Sequence, residues 1–127
     1  MRILVIGGTG FIGRHVVRLL VESGNAVTIF HRGETVADLP AEINHIAGDR
    51  RDIQSFASEF KRLAPDVALD MICYTEQEAK NLVATLDGAC DRLVVASSMD
   101  VYRNYGRLLG LEQAEPDSLP LTEDSPL

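Results

Sequence analysis

The sequence predicts a doubly wound α/β fold, a Rossmann-like parallel sheet in the order 3-2-1-4-5 with helices on both faces. Two observations carry this. Short apolar runs alternate with segments of helical periodicity along most of the chain, the pattern of right-handed crossovers between parallel strands. A glycine cluster stands between the first run and the first helix, which places the turning point of the sheet beside the first strand. At 127 residues, 46% hydrophobic and 24% charged, the chain has the composition of one ordinary globular domain and the length for a real core.

Each element has its own warrant. Ile3–Ile6 is an unbroken apolar run suited to a strand buried on both faces. From Phe11, residues Ile12, Val16, Leu19 and Leu20, with Val17 beside them, keep helical spacing, and Ser23-Gly24-Asn25 stops the helix with Gly24 suited to a left-handed position. Ala26–Phe30 is a second strand, followed by a polar connection from Glu34 to Glu42, and Ile43–Ala47 is a third. Asp52 is placed to cap a helix carrying Ile53, Phe56, Ala57, Phe60 and Leu63, closed by Pro65. Val67–Cys73 is a fourth strand, Thr75 and Glu78 form a capping box for a helix through Leu86, and Leu93–Ala96 is a fifth strand. From Leu111 to Leu127, with Pro116, Pro120 and Pro126, no periodicity is sustained. The expected organisation is therefore residues 1–110 as the doubly wound domain and 111–127 as an irregular tail, with the sheet truncated after strand five and leading to a missing C-terminal portion.

The glycine cluster is where chemistry enters. Gly8, Gly10 and Gly13 satisfy G-x-G-x-x-G, and Gly7, Gly10 and Gly13 satisfy G-x-x-G-x-x-G. Between a strand and a helix, this spacing predicts a pyrophosphate seat. The early glycines turn the chain, Gly10 admits the anion, Gly13 lets the helix approach the strand, and the free N–H groups of the first helical turn face the ligand. No Gly-Lys-Ser/Thr follows, which excludes a P-loop. After the second strand, where an NAD site places a carboxylate for the ribose 2′-hydroxyl, stands His31-Arg32. Arg32 suits a 2′-phosphate, so NADP is favoured over NAD, with Glu34 as the competing ribose acceptor. After the third strand, Asp49 is a candidate acceptor for the adenine amine, while Arg50 and Arg51 read as exposed loop arginines. Ser97 and Ser98 follow the fifth strand and would face the nicotinamide and the substrate. Asp70, inside the fourth strand, requires a partner if buried.

Other classes fare worse. A net charge of −7 argues against a nucleic-acid surface, and the apolar runs are too short to span a membrane. Met1-Arg2 leads directly into the first strand, so the cytoplasm is the expected compartment. Cys73 and Cys90 have no metal-like spacing and are expected to be reduced. His15, His31 and His45 are scattered without ligand spacing, and no metal site is expected.

The set GGTGFIG (7–13), GDRRD (48–52) and SSMDVY (97–102) resembles the extended and atypical branches of the short-chain dehydrogenase/reductase superfamily, with the NAD-dependent epimerase/dehydratase group nearest. The tail LPLTEDSPL (119–127) is similar to the segment that follows strand five there. The resemblance implies cofactor contacts for the loop Gly7, Gly8, Thr9, Gly10, Phe11, Ile12 and Gly13, and adenine contacts for Asp49 and the Arg50 backbone. It also implies that Ser98, in S-x-x-V-Y, is the catalytic hydroxyl that hydrogen-bonds the substrate. Two features depart from the family pattern. Where NAD users carry an acidic residue, this chain has His31-Arg32. Its only lysines are Lys61 and Lys80, so neither Tyr102 nor Tyr105 begins the Tyr-x-x-x-Lys pair. In that pair the cation lowers the tyrosine pKa for proton transfer. The resemblance thus implies the NAD(P)-binding portion of an epimerase, dehydratase or reductase acting by hydride transfer on a small substrate, a sugar nucleotide among the candidates. By itself this chain is expected to be inactive. The alternative is a non-catalytic NADP-binding sensor or regulatory module. An exposed edge at strand five leaves a homo-oligomer open.

Overall fold

The computed structural model describes residues 1–34, 38–111, 113, 117 and 119–127. Pro116 and part of the 34–42 connection lie outside the described residues. Five parallel strands, β1 (Arg2–Ile6), β2 (Ala26–His31), β3 (Asn44–Ala47), β4 (Val67–Asp70) and β5 (Arg92–Val95), form one sheet in the order β3-β2-β1-β4-β5. Ile3 pairs with Val27 on one side and Val67 on the other, so β1 is the central strand. The predicted Rossmann-like topology is therefore the observed one.

Helices α1 (Phe11–Glu22), α2 (Ala57–Leu63) and α3 (Glu76–Leu86) cover the sheet, and β1 contributes to a core on each side because alternate side chains point to opposite faces. Leu4 and Ile6 join Phe30, Ile53, Phe60, Leu82 and Leu86 in one core, while Ile3 and Val5 join Val17, Val27, Ile29 and Ile43 in the other. In α1 the buried positions are Gly13 and Val17, with Leu20 and Val21 packed beside them, whereas Ile12 and Leu19 are exposed. The buried face is thus rotated from the apolar stripe read in the sequence. The helix presents its glycine, not Ile12, to the loop that follows β1, because only a residue without Cβ permits that approach. A Cβ on Gly13 would lie 2.6 Å from the Gly7 carbonyl oxygen and 2.9 Å from the Gly8 backbone. Gly24, at φ +77°, ends α1 as anticipated, and the Asn25 N–H donates to the Leu20 carbonyl.

Boundaries differ from expectation by one residue in β1, β2 and β3, and in three further places. The segment expected to be one helix from Asp52 is a 3-10 turn, Arg50–Phe56, followed by α2. Its cap is Asp49, whose carboxylate accepts from the Arg51 N–H, while Asp52 sits at a kink with non-helical backbone. The Asp nearer the strand end intercepts the free N–H first. β4 stops at Asp70 rather than Cys73: the Asp70 carboxylate accepts from the Ile72 N–H at 2.9 Å and turns the chain out of the sheet. β5 begins one residue earlier than expected, at Arg92, and ends at Val95. The α3 capping box is present, with Thr75 Oγ1 accepting from the Glu78 N–H and the Glu78 carboxylate from the Thr75 N–H.

The chain divides into two compact units, Met1–Ala96 and Ser97–Leu127. The first holds the sheet and α1–α3. The second holds a 3-10 turn at Met99–Val101 and a short helix α4 (Arg103–Leu108), whose Arg103 and Arg107 pair with Asp117. Among the described residues no helix is long and apolar enough to cross a membrane.

Gly13→Ala tests the close approach of α1 to the loop after β1. Alanine raises helix propensity by about 1 kcal/mol, but its Cβ meets backbone that cannot rotate aside. A net loss of about 1–3 kcal/mol is expected in urea unfolding.

Candidate functional site

The ends of β1, β2 and β3 and the loop after β4 enclose a cavity of about 530 Å³ within the first unit, in the ordinary size range of small-molecule sites. One end is the glycine loop. Gly7 takes φ +84°, a turn that disfavours other residues, and its N–H donates to the Phe30 carbonyl at 3.1 Å. Gly10 caps α1 in an extended conformation with no side-chain bond, and α1 carries no acidic residue in its first turn. Its leading N–H groups therefore have no acceptor within the helix and no competing carboxylate beside them. A Cβ at Gly10 would have nothing within 4 Å, so open space lies in front of this helix end. These features fit a pyrophosphate. Gly7, Thr9 and Gly10 line the cavity; Gly8 and Gly13 instead pack inward, against Val17 and Ile29 and against the loop backbone respectively. Phe11 and Ile12 are exposed on the first turn of α1.

The mouth of the cavity carries two arginine–carboxylate pairs. Arg32, 57% exposed, lies 3.1 Å from Glu34. Arg51, 82% exposed, lies 2.6 Å from Asp49. Asp49 accepts from three N–H groups of Arg51, the backbone N–H, Nε and Nη2, with Nε shared between the two carboxylate oxygens. Most of its acceptor capacity is thereby engaged by Arg51, so a ligand amine would compete with that side chain for the carboxylate. Hydrogen bonds from Arg51 hold the Asp49 carboxyl down at about 2.

His31 and His45, far apart in sequence, meet across β2 and β3 with Nε2 and Nδ1 3.0 Å apart. The His31 Nδ1 accepts from the Gly33 N–H at 3.2 Å, so in the neutral ring Nε2 carries the proton and donates to His45. Burial, then the neighbouring His45, pushes the His31 pKa down. A neutral His31 thereby holds the turn that presents Arg32.

Arg50 reverses the expectation of an exposed loop arginine. Its side chain is 8% exposed and pairs through Nη1 with Asp70, which is 0% exposed. Its Nε lies 3.6 Å from Glu78, while Nη2 is buried without a hydrogen-bond partner among the described residues. Asp70 thus has the partner its burial requires. Glu78 uses its other oxygen to accept from the N–H groups of Tyr74 and Thr75, at 2.8 and 3.1 Å. Those backbone bonds, Tyr74 foremost, together with the Arg50 charge, keep the Glu78 carboxyl below its ordinary value. Sequence reasoning missed the Arg50–Glu78 contact and the cavity-lining Ile72 and Tyr74; the in-strand Asp70 was the one signal that pointed toward them.

Ser98 belongs to the second unit. It caps the Met99–Val101 turn, its Oγ accepting from the Asp100 N–H at 3.2 Å. Cys73 and Cys90 are free thiols, and burial pushes both up from their ordinary values.

Comparison with known proteins places this geometry. Residues 3–124 match the model of the NAD dependent epimerase/dehydratase family. Over 114 residues the chain is 31% identical to the chloroplast stem-loop binding protein of 41 kDa b of Arabidopsis thaliana, covering 80% of this chain and 30% of that protein. Over 149 residues it is 30% identical to a UDP-glucose 4-epimerase of Lactobacillus helveticus, covering 100% of this chain and 41% of the relative. The chain thus spans well under half the length of these relatives. Among solved structures, the Bordetella bronchiseptica enzyme WbmG in complex with NAD and UDP superposes with a TM-score of 0.74 at 19% identity, over 99% of this chain and 43% of that one. At that identity the likeness concerns the fold.

Removing one partner of the Arg50–Asp70 pair strands a buried charge or polar group. Arg50→Met and Asp70→Asn are each expected to lose about 3–5 kcal/mol in urea unfolding, and Arg50→Met/Asp70→Leu less than either single variant. The Asp49–Arg51 contact has the opposite kind of signature, visible in pH alone. Because the folded-state pKa is depressed from 3.8 to about 2, its contribution is complete above pH 4 and fades as pH falls toward 2. Carbon NMR titration of the Asp49 carboxyl is expected to show that midpoint, and Arg51→Ala to move it upward.

Proposed function

This chain belongs to the NAD dependent epimerase/dehydratase family, and we propose that it forms the dinucleotide-binding part of a nicotinamide-dependent epimerase, dehydratase or reductase. The observation that carries the reading is the open space at Gly10, in front of the uncapped N-terminus of α1 and on the wall of the cavity. The pyrophosphate sits there on backbone N–H groups, favoured by the helix dipole. The adenosine half extends over the ends of β2 and β3 toward Arg32 and Asp49, and the other half toward the end of β5. When bound, the nicotinamide supplies hydride transfer to or from a small substrate. The sugar-nucleotide class is suggested by the UDP-glucose 4-epimerase relatives.

NADP is the favoured cofactor. Arg32 is exposed at the end of β2, and its partner Glu34 is exposed as well, so a 2′-phosphate exchanges one anion for another at little desolvation cost. The WbmG structure holds NAD, which makes this choice a matter for direct measurement. Ser98 is proposed as the hydroxyl that hydrogen-bonds the substrate. Its Oγ already accepts one bond from Asp100, which leaves the hydroxyl proton to donate. Lys61 and Lys80 are the only lysines, so the chain's own residues supply binding rather than the tyrosine–lysine proton relay.

Titration of the chain with NADPH and NADH by calorimetry tests this reading. Arg32→Ala is expected to weaken NADPH by about ten- to a hundredfold and to leave NADH nearly unchanged. Gly10→Ala fits the empty loop, so its unfolding midpoint is expected to stay near that of the parent chain while affinity for both nucleotides falls by at least about tenfold. Binding of neither nucleotide by the parent chain would refute the dinucleotide reading. Equal loss of both on Arg32→Ala would refute the NADP preference alone.

A further inference from the structure

We propose that Tyr74 is the aromatic platform on which the adenine ring of the ligand stacks, an inference that rests on the dinucleotide reading above. Tyr74 lines the cavity and is 78% exposed. Among the described residues its ring packs on no other aromatic ring and its hydroxyl makes no hydrogen bond. A large aromatic side chain left bare on a cavity wall is a surface without a partner.

The backbone beneath it is firmly held. The loop between β4 and α3 is pinned near its start by Asp70, which accepts from the Ile72 N–H, and at its end by Glu78, which accepts from the N–H groups of Tyr74 and Thr75. Arg50 stands between these two carboxylates and ties both to the end of β3. Ile72 also packs so closely on the glycine loop that a Cβ at Gly7 would come within 2.8 Å of it. The loop that carries Tyr74 is therefore fixed to both the pyrophosphate end of the cavity and the β3 end. A pre-positioned ring adds affinity without a large ordering penalty.

Adenine is the ring that reaches it. The cavity is bounded by the residues after β2 and β3, by the glycine loop and by the loop after β4, and Arg50 ties the Tyr74 loop to the β3 end, where the adenosine half of the ligand lies in this reading. Any base offers a π-face, so stacking tolerates Arg51 remaining on Asp49 and does not need the amine contact.

The test uses ADP, which carries adenine without nicotinamide, and nicotinamide mononucleotide, which carries the reverse. Tyr74→Ala is expected to weaken ADP by about fivefold to a hundredfold, and Tyr74→Phe, which keeps the ring, by no more than about twofold. Nicotinamide mononucleotide is expected to respond to neither change. Because the side chain is exposed, thermal melts of both variants are expected to match the parent. The chain has no tryptophan, so Tyr74→Trp adds a single reporter whose emission is expected to change on ADP addition. Undiminished ADP binding by Tyr74→Ala, with the parent chain binding ADP, would overturn the stacking proposal and leave the dinucleotide reading standing. Failure of the parent chain to bind ADP, NADPH and NADH would remove that reading and this inference with it.

Discussion

The buried ion pair between Arg50 and Asp70 is the constraint on which the rest of the cavity depends. Taking a guanidinium and a carboxylate out of water is costly, and hydrophobic residues of similar volume would hold the core at least as well. What the pair adds is position. It joins the first residue of the 3-10 turn that follows β3 to the last residue of β4, two strands that are not neighbours in the sheet, and through Glu78 it reaches the start of α3. Non-adjacent strand ends have no backbone ladder between them, so a long side chain crossing β1 and β2 is one of the few ways to set their relative height. The same arginine thereby fixes where Asp49, beside it in sequence, and Tyr74, beside the Glu78 cap, stand at the cavity.

The glycine loop divides its work between two kinds of space. At Gly13 the missing Cβ is filled by protein, since the helix rests on the loop backbone. At Gly10 the corresponding space is open. The first glycine is required by the packing of the fold and the second by no contact within it, although both belong to one sequence motif. Gly48 belongs with the first kind: a Cβ there would overlap the rings of Phe30 and Phe56. It lets the chain leave β3 over an aromatic cluster and turn at once toward Arg50.

Charge at the mouth is balanced locally. Arg32 with Glu34 and Arg51 with Asp49 are each paired two residues apart, in solvent, where such pairs hold weakly. A phosphate or a ribose hydroxyl could each exchange into this arrangement, and the exposed side chains are free to rearrange around either. The buried pair below cannot do so. The cavity thus has a rigid floor and a soft rim, which suits a site whose ligand is long and partly anionic.

The strand order, the capping box, the end of α1 at Gly24 and the glycine turn between β1 and α1 were all legible in the sequence, because each depends on local chemistry: apolar runs, turn residues and free N–H groups read over a few positions. Asp70 was legible as a problem but not as an answer, since a carboxylate within an apolar strand demands a partner without saying which. Arg50 and Arg51 look alike in GDRRD; the first is buried and the second is exposed because the 3-10 turn aims successive side chains in different directions. The buried face of α1, the meeting of His31 with His45 and the exposure of Tyr74 on a cavity wall likewise came from how separate segments are brought together. By itself the sequence determined the doubly wound fold and the glycine turn that leads into α1, whose signals are periodic and local. Only the tertiary structure decided which charges are buried, which face a helix hides and which aromatic ring lies bare, because those depend on contacts between residues that the chain order keeps apart.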